Sequence, residues 1–316
     1  MIEITNLTKR YGDKLAVNNI SFTIKDGEIL GFLGPNGAGK TTTLSILTGY
    51  LSSNEGSVVI DGIDILTNPT EAKKRLGYLP EHPPLYLDMT VKEYLNFVYD
   101  LKQCTLPRTA HLAEVCAVVK IADVYNRKIV NLSKGYRQRV GIAQAIIGNP
   151  EVLIFDEPTV GLDPKQIIEI RNLIKNLGKN HTIILSSHIL PEIQAVCDRV
   201  VVINKGNIVA DDTPENLAHN VSGSRRLLVR LACSEAEGLK ILRNLDGLIS
   251  ADAIGEKEKF TCDYIIESAP QVDIRKPLFF ALAAKNVALL GLKSLEMSLE
   301  DVFIELVDNQ TNKGGH

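Results

Sequence analysis

The chain of 316 residues is 45% hydrophobic and 23% charged, the balance of an ordinary globular protein with room for one large domain and a small one. Its net charge of −3 offers no overall electrostatic footprint for nucleic acid, so no nucleic-acid partner is expected. Five cysteines, at 104, 116, 197, 233 and 262, form no CxxC pair, which argues against a zinc ribbon or a disulfide framework and for reduced thiols in the cytoplasm.

The opening stretch, MIEITNLTKR, lacks the charged-then-apolar pattern of a signal peptide. ISFTIKD alternates as a strand, and EILGFLG is a short apolar run ending in Gly-Pro. TTTLSILTG reads as a helix stopped by Gly49. VLIFDEP and TIILSSH are apolar runs of strand length with polar ends, separated by the helical period of IIEIRNLIKNLGKN. Buried strands alternating with helices predict an α/β fold with a parallel sheet covered on both faces. VVINKGNIVADD predicts a hairpin turning at Lys205-Gly206. The polar stretch 219–226 reads as a linker, dividing the chain into 1–219 and 220–316. The second part reads strand, helix, two strands around GEKEK, helix, strand and a last helix SLEDVFIELV, the order of a small α+β domain of split βαβ type. The tail NQTNKGGH is expected to be disordered. The longest apolar candidate, LFFALAAKNVALLGL, is broken by Lys285 and Asn286, so any membrane crossing falls to another chain.

Three strand ends carry chemistry. GPNGAGKT, comprising Gly34, Pro35, Asn36, Gly37, Ala38, Gly39, Lys40 and Thr41 and followed by Thr42, fits the phosphate loop between a strand and a helix. Its glycines let backbone N–H groups face phosphate oxygens, Lys40 neutralises β/γ charge and Thr41 ligates Mg²⁺. In VLIFDEP, Asp156 is placed to hold the Mg²⁺ shell and Glu157 to polarise a water, while Pro158 keeps both acids out of a helix. His188 closes TIILSSH, where a neutral imidazole reaches a γ-phosphate or the attacking water; a lone histidine is more often a helix cap or a satisfied core residue, and the reading gains weight only beside the other motifs. A fourth element, LSKGYRQR, places Ser133, Lys134 and Gly135 at a helix N-terminus, an anion-binding arrangement far from the phosphate loop in sequence.

Together these motifs, in this order over residues 1–219, resemble the ATP-binding subunit of an ABC transporter. The resemblance implies a cassette with a mostly parallel central sheet, an antiparallel β subdomain and a helical subdomain. It also implies ATP and Mg²⁺ as ligands, with Glu157 as catalytic carboxylate and His188 as switch histidine. Gly161-Leu162-Asp163 is similar to the D-loop, which adds Asp163 to the nucleotide contacts. Tyr11, in KRYGDKLAV, falls where the family stacks an aromatic on adenine; a plain surface tyrosine at a turn fits the residues equally well. In this family two cassettes pack head to tail, so LSKGY implies a partner copy whose ATP it touches. An integral membrane permease is the other implied partner, with the ATPase lying peripherally at the inner face of the membrane.

Two motifs depart from the family. LSKGY has Lys134 and Tyr136 where the signature carries Gly and Gln, and it keeps Ser133 and Gly135. Glu81, in GYLPEHPPLY, occupies the place of the Q-loop glutamine, and a carboxylate there still ligates Mg²⁺ but donates no hydrogen bond when ionised. The segment 220–316 resembles the extension on ATPases of bacterial exporters with separate permeases, and reads as a packing or dimerisation module. Two other functions remain in view: a soluble ABC-type ATPase of DNA repair or translation, and a P-loop kinase. Tandem cassettes or a coiled-coil insertion would mark the first, and nothing in a kinase calls for LSKGY ahead of the acidic strand.

Overall fold

The computed structural model describes residues 1–220, 225–256, 258, 260–269 and 272–295. The chain divides into two compact units, Met1–Pro214 and Glu215–His316.

The first unit holds two sheets. The smaller is antiparallel, with strands Lys14–Ile24, Ile2–Tyr11, Glu55–Ile60 and Ile63–Asp64 in that spatial order. The larger runs Asn207–Asp212, Arg199–Asn204, Ile29–Leu33, Thr182–Ser187, Val152–Asp156 and Leu76–Leu79. Its neighbours pair in parallel except at the hairpin edge. The central strands are buried along their whole length, as a sheet covered on both faces requires. Between the sheets, Ile2, Ile4 and Phe22 pack with Phe32, Ile154 and Val201, and the Phe22 and Phe32 rings stack at 5.7 Å. The helix Lys40–Leu47 drives Leu44, Ile46 and Leu47 into the same core, which fixes the phosphate loop at its N-terminus.

The hairpin turns at Lys205-Gly206, as expected, with φ of 46° and 80°; two positive φ values in a two-residue loop match the right-handed twist of the strands. Strands Ile2–Tyr11, Glu55–Ile60 and Leu76–Leu79 were not among the expected elements. The first has its alternation broken at Asn6, which adopts φ 50° beside a register shift in the pairing.

The helical part comprises Val91–Leu101, Arg108–Val119 and Lys134–Ile146. A capping box between Thr90 and Glu93 starts the first of these. The helix Lys134–Ile146 lies so close to the strand Leu76–Leu79 that a Cβ at Gly77 would stand 2.3 Å from the Ala145 carbonyl oxygen. That close packing ties the LSKGY helix to the parallel sheet.

The second unit forms a four-stranded antiparallel sheet in the order Leu248–Gly255, Cys262–Ser268, Arg225–Leu231, Leu289–Leu295. With helices Glu235–Leu242 and Arg275–Ala284 between strands, this is the split βαβ arrangement. Val229, Leu231, Tyr264, Ile266 and Leu278 build its core. Of the stretch 219–226 expected as a linker, His219 and Asn220 end a helix and Arg225 begins a strand, and 221–224 lie outside the described residues. The expected last helix, 298–307, and the polar tail also lie outside them.

Candidate functional site: a phosphate-loop cavity at the strand ends

The carboxyl ends of three neighbouring parallel strands converge on one cavity of about 400 Å³. Ile29–Leu33 delivers the phosphate loop, Val152–Asp156 the two acids, and Thr182–Ser187 His188. Ligand sites lie at such strand ends in open α/β sheets.

The loop wraps tightly because its glycines admit backbone where a side chain would clash. A Cβ on Gly34 would stand 2.4 Å from the Ile203 carbonyl oxygen, and one on Gly39 2.5 Å from that of Ala16. Gly39 also has φ 114°, a conformation that L side chains rarely adopt. Lys40 is buried beneath the loop. Its Nζ donates to the Gly34 carbonyl at 2.7 Å and lies 3.5 Å from Glu157 Oε1.

Asp156 and Glu157 share a brace. Ser186 Oγ donates to Asp156 Oδ1 at 2.5 Å and accepts the Glu157 N–H at 3.0 Å. Glu157 holds φ 49°, so its side chain leaves the strand direction and turns into the cavity. Burial pushes the Asp156 carboxyl above its ordinary value; hydrogen bonds from Ser186 and Thr41 oppose the rise, and the carboxylates of Glu157 and Glu81 add to it. His188 Nδ1 lies 2.8 Å from Glu157 Oε2. An ionised carboxylate only accepts, so Nδ1 carries the proton and a neutral ring presents Nε2 as an acceptor.

Tyr11, Pro35, Asn36, Gly37, Gly39, Lys40, Thr41, Thr42, Glu81, Glu157 and His188 all border this cavity. Gly34 and Ala38 form the back of the loop, and Asp156 sits behind Thr41. Tyr11 is half exposed, with Lys9 Nζ 5.6 Å from its ring centroid. Ser133, Lys134, Gly135 and Asp163 do not border it. Ser133 Oγ caps its own helix by accepting the Tyr136 N–H at 3.4 Å, and Asp163 Oδ1 caps the helix Pro164–Leu177 by accepting the Gln166 N–H at 3.0 Å. Lys134 lies over the D-loop, its Nζ 2.0 Å from where a Cβ of Gly161 would be. Tyr136, the departure from Gln, donates its hydroxyl to Asp123 at 2.7 Å.

The sequence did not single out Lys14, Ala16 or Val160 on the wall, nor Ser186 behind it. For Ser186 a signal existed: two consecutive serines at the end of an otherwise apolar strand.

A mixed sheet whose parallel strand ends gather a phosphate loop, an acid pair and a histidine defines a P-loop ATPase cassette. Residues 17–160 match the ABC transporter domain family. The chain is 32% identical to the ABC transporter ATP-binding protein YhcH of Bacillus subtilis, over 100% of this chain and 99% of YhcH. It is 32% identical to the linearmycin resistance ATP-binding protein LnrL of the same organism, over 97% and 98% of the two chains. It is 39% identical to the bacitracin transport ATP-binding protein BcrA of Bacillus licheniformis, over 67% and 69%. Among solved structures, an ATP-binding subunit of an ABC transporter superposes with TM-score 0.64 at 26% identity, over 70% of this chain and 92% of the other. A dimeric ATP-binding cassette in a post-hydrolysis state, bound to ADP and Pi, gives TM-score 0.62 at 26% identity over 67% and 98%. The chain belongs to the ATP-binding subunits of ABC transporters, and it is an ATPase. The alternative of a DNA-repair or translation ATPase draws no support from these relatives.

Proposed function

We propose that the chain binds ATP with Mg²⁺ in the phosphate-loop cavity and powers export through a separate integral membrane permease. Two copies work as a head-to-tail dimer, peripheral to the cytoplasmic face of the membrane. The contact chain Lys40–Glu157–His188 along one wall of the cavity carries this reading. LnrL and BcrA are named for linearmycin resistance and bacitracin transport, which supports export as the purpose. Among the described residues no helix is long and apolar enough to cross a membrane.

The donor set fits Mg²⁺. Thr41, Asp156 and Glu81 offer hard oxygens, and among the described residues no three His, Cys, Asp or Glu form a metal cage by themselves. Mg²⁺ is held in just this way, by one or two carboxylates, a hydroxyl and substrate phosphates. When bound, it supplies charge neutralisation at the phosphate oxygens. In this reading Lys40 binds the β/γ end, the N–H groups of the glycine loop cradle it, and Glu157 orients the attacking water and receives its proton. His188 holds Glu157 through Nδ1 and turns Nε2 to the γ-phosphate side. Ser133, Gly135 and Lys134 meet the partner copy's γ-phosphate, and Asp163 lies in the loop between the copies. Tyr11 stacks on adenine.

Glu157→Gln tests it. ATP binding is expected to persist while turnover falls about 10²–10⁴-fold, the usual contribution of positioned acid–base groups. Gel filtration with ATP and Mg²⁺ is expected to show a dimer. A variant that hydrolyses ATP at the wild-type rate defeats the assignment. Co-purification of the tagged chain from membranes with a multi-span protein tests the permease.

A further inference from the structure

Behind the cavity wall, beside the buried pair Asp156 and Glu157, lies a third buried acid, one that the chemistry above does not use. Glu192 stands in the first turn of the helix Leu190–Val196 and is 3% exposed. An acid that merely complements the helix dipole does so from the surface, and burying it is costly unless it is well partnered. Its Oε2 accepts from Thr159 Oγ1 at 2.5 Å and from Ser187 Oγ at 3.2 Å. Thr159 follows Glu157 by two positions, and Ser187 immediately precedes His188. One carboxylate oxygen therefore clasps the two loops whose reacting side chains meet at 2.8 Å.

The other oxygen is half engaged. Arg171 Nη2 stands 3.9 Å from Glu192 Oε1, beyond hydrogen-bond distance. Glu192 Oε1 and Arg171 Nε are the buried side-chain polar atoms left without a hydrogen bond among the described residues. Such orphaned atoms call for a reason. Arg171 belongs to the helix Pro164–Leu177, which Asp163 of the D-loop caps.

We propose that Glu192 is a positioning residue that seats His188 against Glu157, and that Arg171 transmits movement of the D-loop helix to it. A displacement of about 1 Å brings the Arg171 guanidinium into charge-assisted contact with Glu192 Oε1. The carboxylate then has a partner for each oxygen, and the clasp on both loops tightens. Association of two cassettes through their D-loops thereby reaches the histidine. This rests on the catalytic roles given above to Glu157 and His188.

The test uses the full chain with ATP and Mg²⁺. Glu192→Gln keeps the size and one acceptor oxygen and removes the charge facing Arg171. Turnover is expected to fall about tenfold or more at unchanged ATP affinity. Arg171→Gln is expected to do the same, and the double variant to lose no more than either single one. A second readout follows position directly. With ¹⁵N-labelled histidine, the His188 ring resonance moves in Glu192→Gln while those of the other five histidines stay. Normal turnover, or an unmoved His188 resonance, overturns the proposal; so do additive losses in the double variant. If Glu192→Gln does not fold, Ser187→Ala and Thr159→Val each remove one clasping hydroxyl and carry the same two predictions. Wild-type turnover in both Glu157→Gln and His188→Ala defeats the underlying site reading instead. Their loss beside a normal Glu192→Gln defeats this inference alone.

Discussion

Lys40 Nζ stands 3.5 Å from Glu157 Oε1, with both side chains more than nine-tenths buried. Each charge offsets the desolvation of the other, and removing one partner of a buried pair typically costs about 3–5 kcal/mol. Lys40→Ala is therefore expected to lose ATP turnover and also to melt earlier than wild type. Lys40→Ala with Glu157→Gln is expected to recover part of the melting temperature and none of the turnover. If the double variant melts no higher than Lys40→Ala, the orphaned carboxylate is not the source of the loss.

The loop glycines make a graded prediction. Gly34→Ala and Gly39→Ala push a Cβ to within 2.5 Å of a backbone carbonyl oxygen, so the loop itself has to shift. Gly148→Ala places an alanine at φ 89° with nothing within 4 Å, so it carries backbone strain of about 1–2 kcal/mol without a clash. ATP affinity is expected to collapse in the first two and to stay near wild type in the third. Titration with a fluorescent nucleotide measures it. Equal affinities in all three show that loop shape does not govern binding.

His111 supplies a pH dependence outside the site. It is buried, and its Nε2 accepts the Gly148 N–H at 2.9 Å. Burial holds its pKa below the ordinary 6.5; Lys102 adds to the lowering and Glu114 opposes it. Between the folded value and 6.5 the unfolded chain binds more protons, so stability rises with pH across that window. The contribution is complete above pH 6.5 and is lost as pH falls through the folded pKa. Urea unfolding at neutral and mildly acid pH is expected to show a steeper loss for wild type than for His111→Gln, which accepts the same N–H and does not titrate. Parallel losses refute the role of His111.

Much of this site was readable from sequence because its parts are local. A phosphate loop needs its glycines at fixed offsets, and an acid pair at a strand end follows an apolar run of strand length, so GPNGAGKT and VLIFDEP declared their geometry. Strands with broken alternation did not. Ile2–Tyr11 carries a bulge at Asn6, and Leu76–Leu79 is too short to show a period. Nor did contacts between distant segments: Ser186 bracing Glu157, or Glu192 clasping Thr159, joins residues about thirty positions apart whose polar atoms meet only once the parallel strands pair. The glycine at 135 illustrates a mixed case. Sequence assigned it to anion binding, and the fold adds that a Cβ there would meet the Gln166 side chain at 2.7 Å.

The separation of LSKGY from the phosphate-loop cavity leads to the sharpest test. None of Leu132–Arg139 borders the cavity that Lys40 borders, which agrees with the proposal that Ser133 serves the nucleotide of another copy. Take one chain with Lys40→Ala and another with Ser133→Arg. Each homodimer is expected to be inactive, the first without its phosphate clamp and the second with a bulky cation in place of the capping hydroxyl. In a mixed dimer the damaged loop faces the damaged signature, and the other site joins an intact Lys40 to an intact Ser133. Mixing is then expected to restore hydrolysis at that composite site, read as ATPase rate against mixing ratio with heterodimers verified by two tags. A chain carrying both substitutions, paired with wild type, controls for a need to fire both sites together. There every site lacks one element, and a trans arrangement predicts no activity, whereas a cis arrangement leaves the wild-type half turning over. Activity in the control without rescue in the mixture would place the signature on its own chain's nucleotide and end the head-to-tail reading.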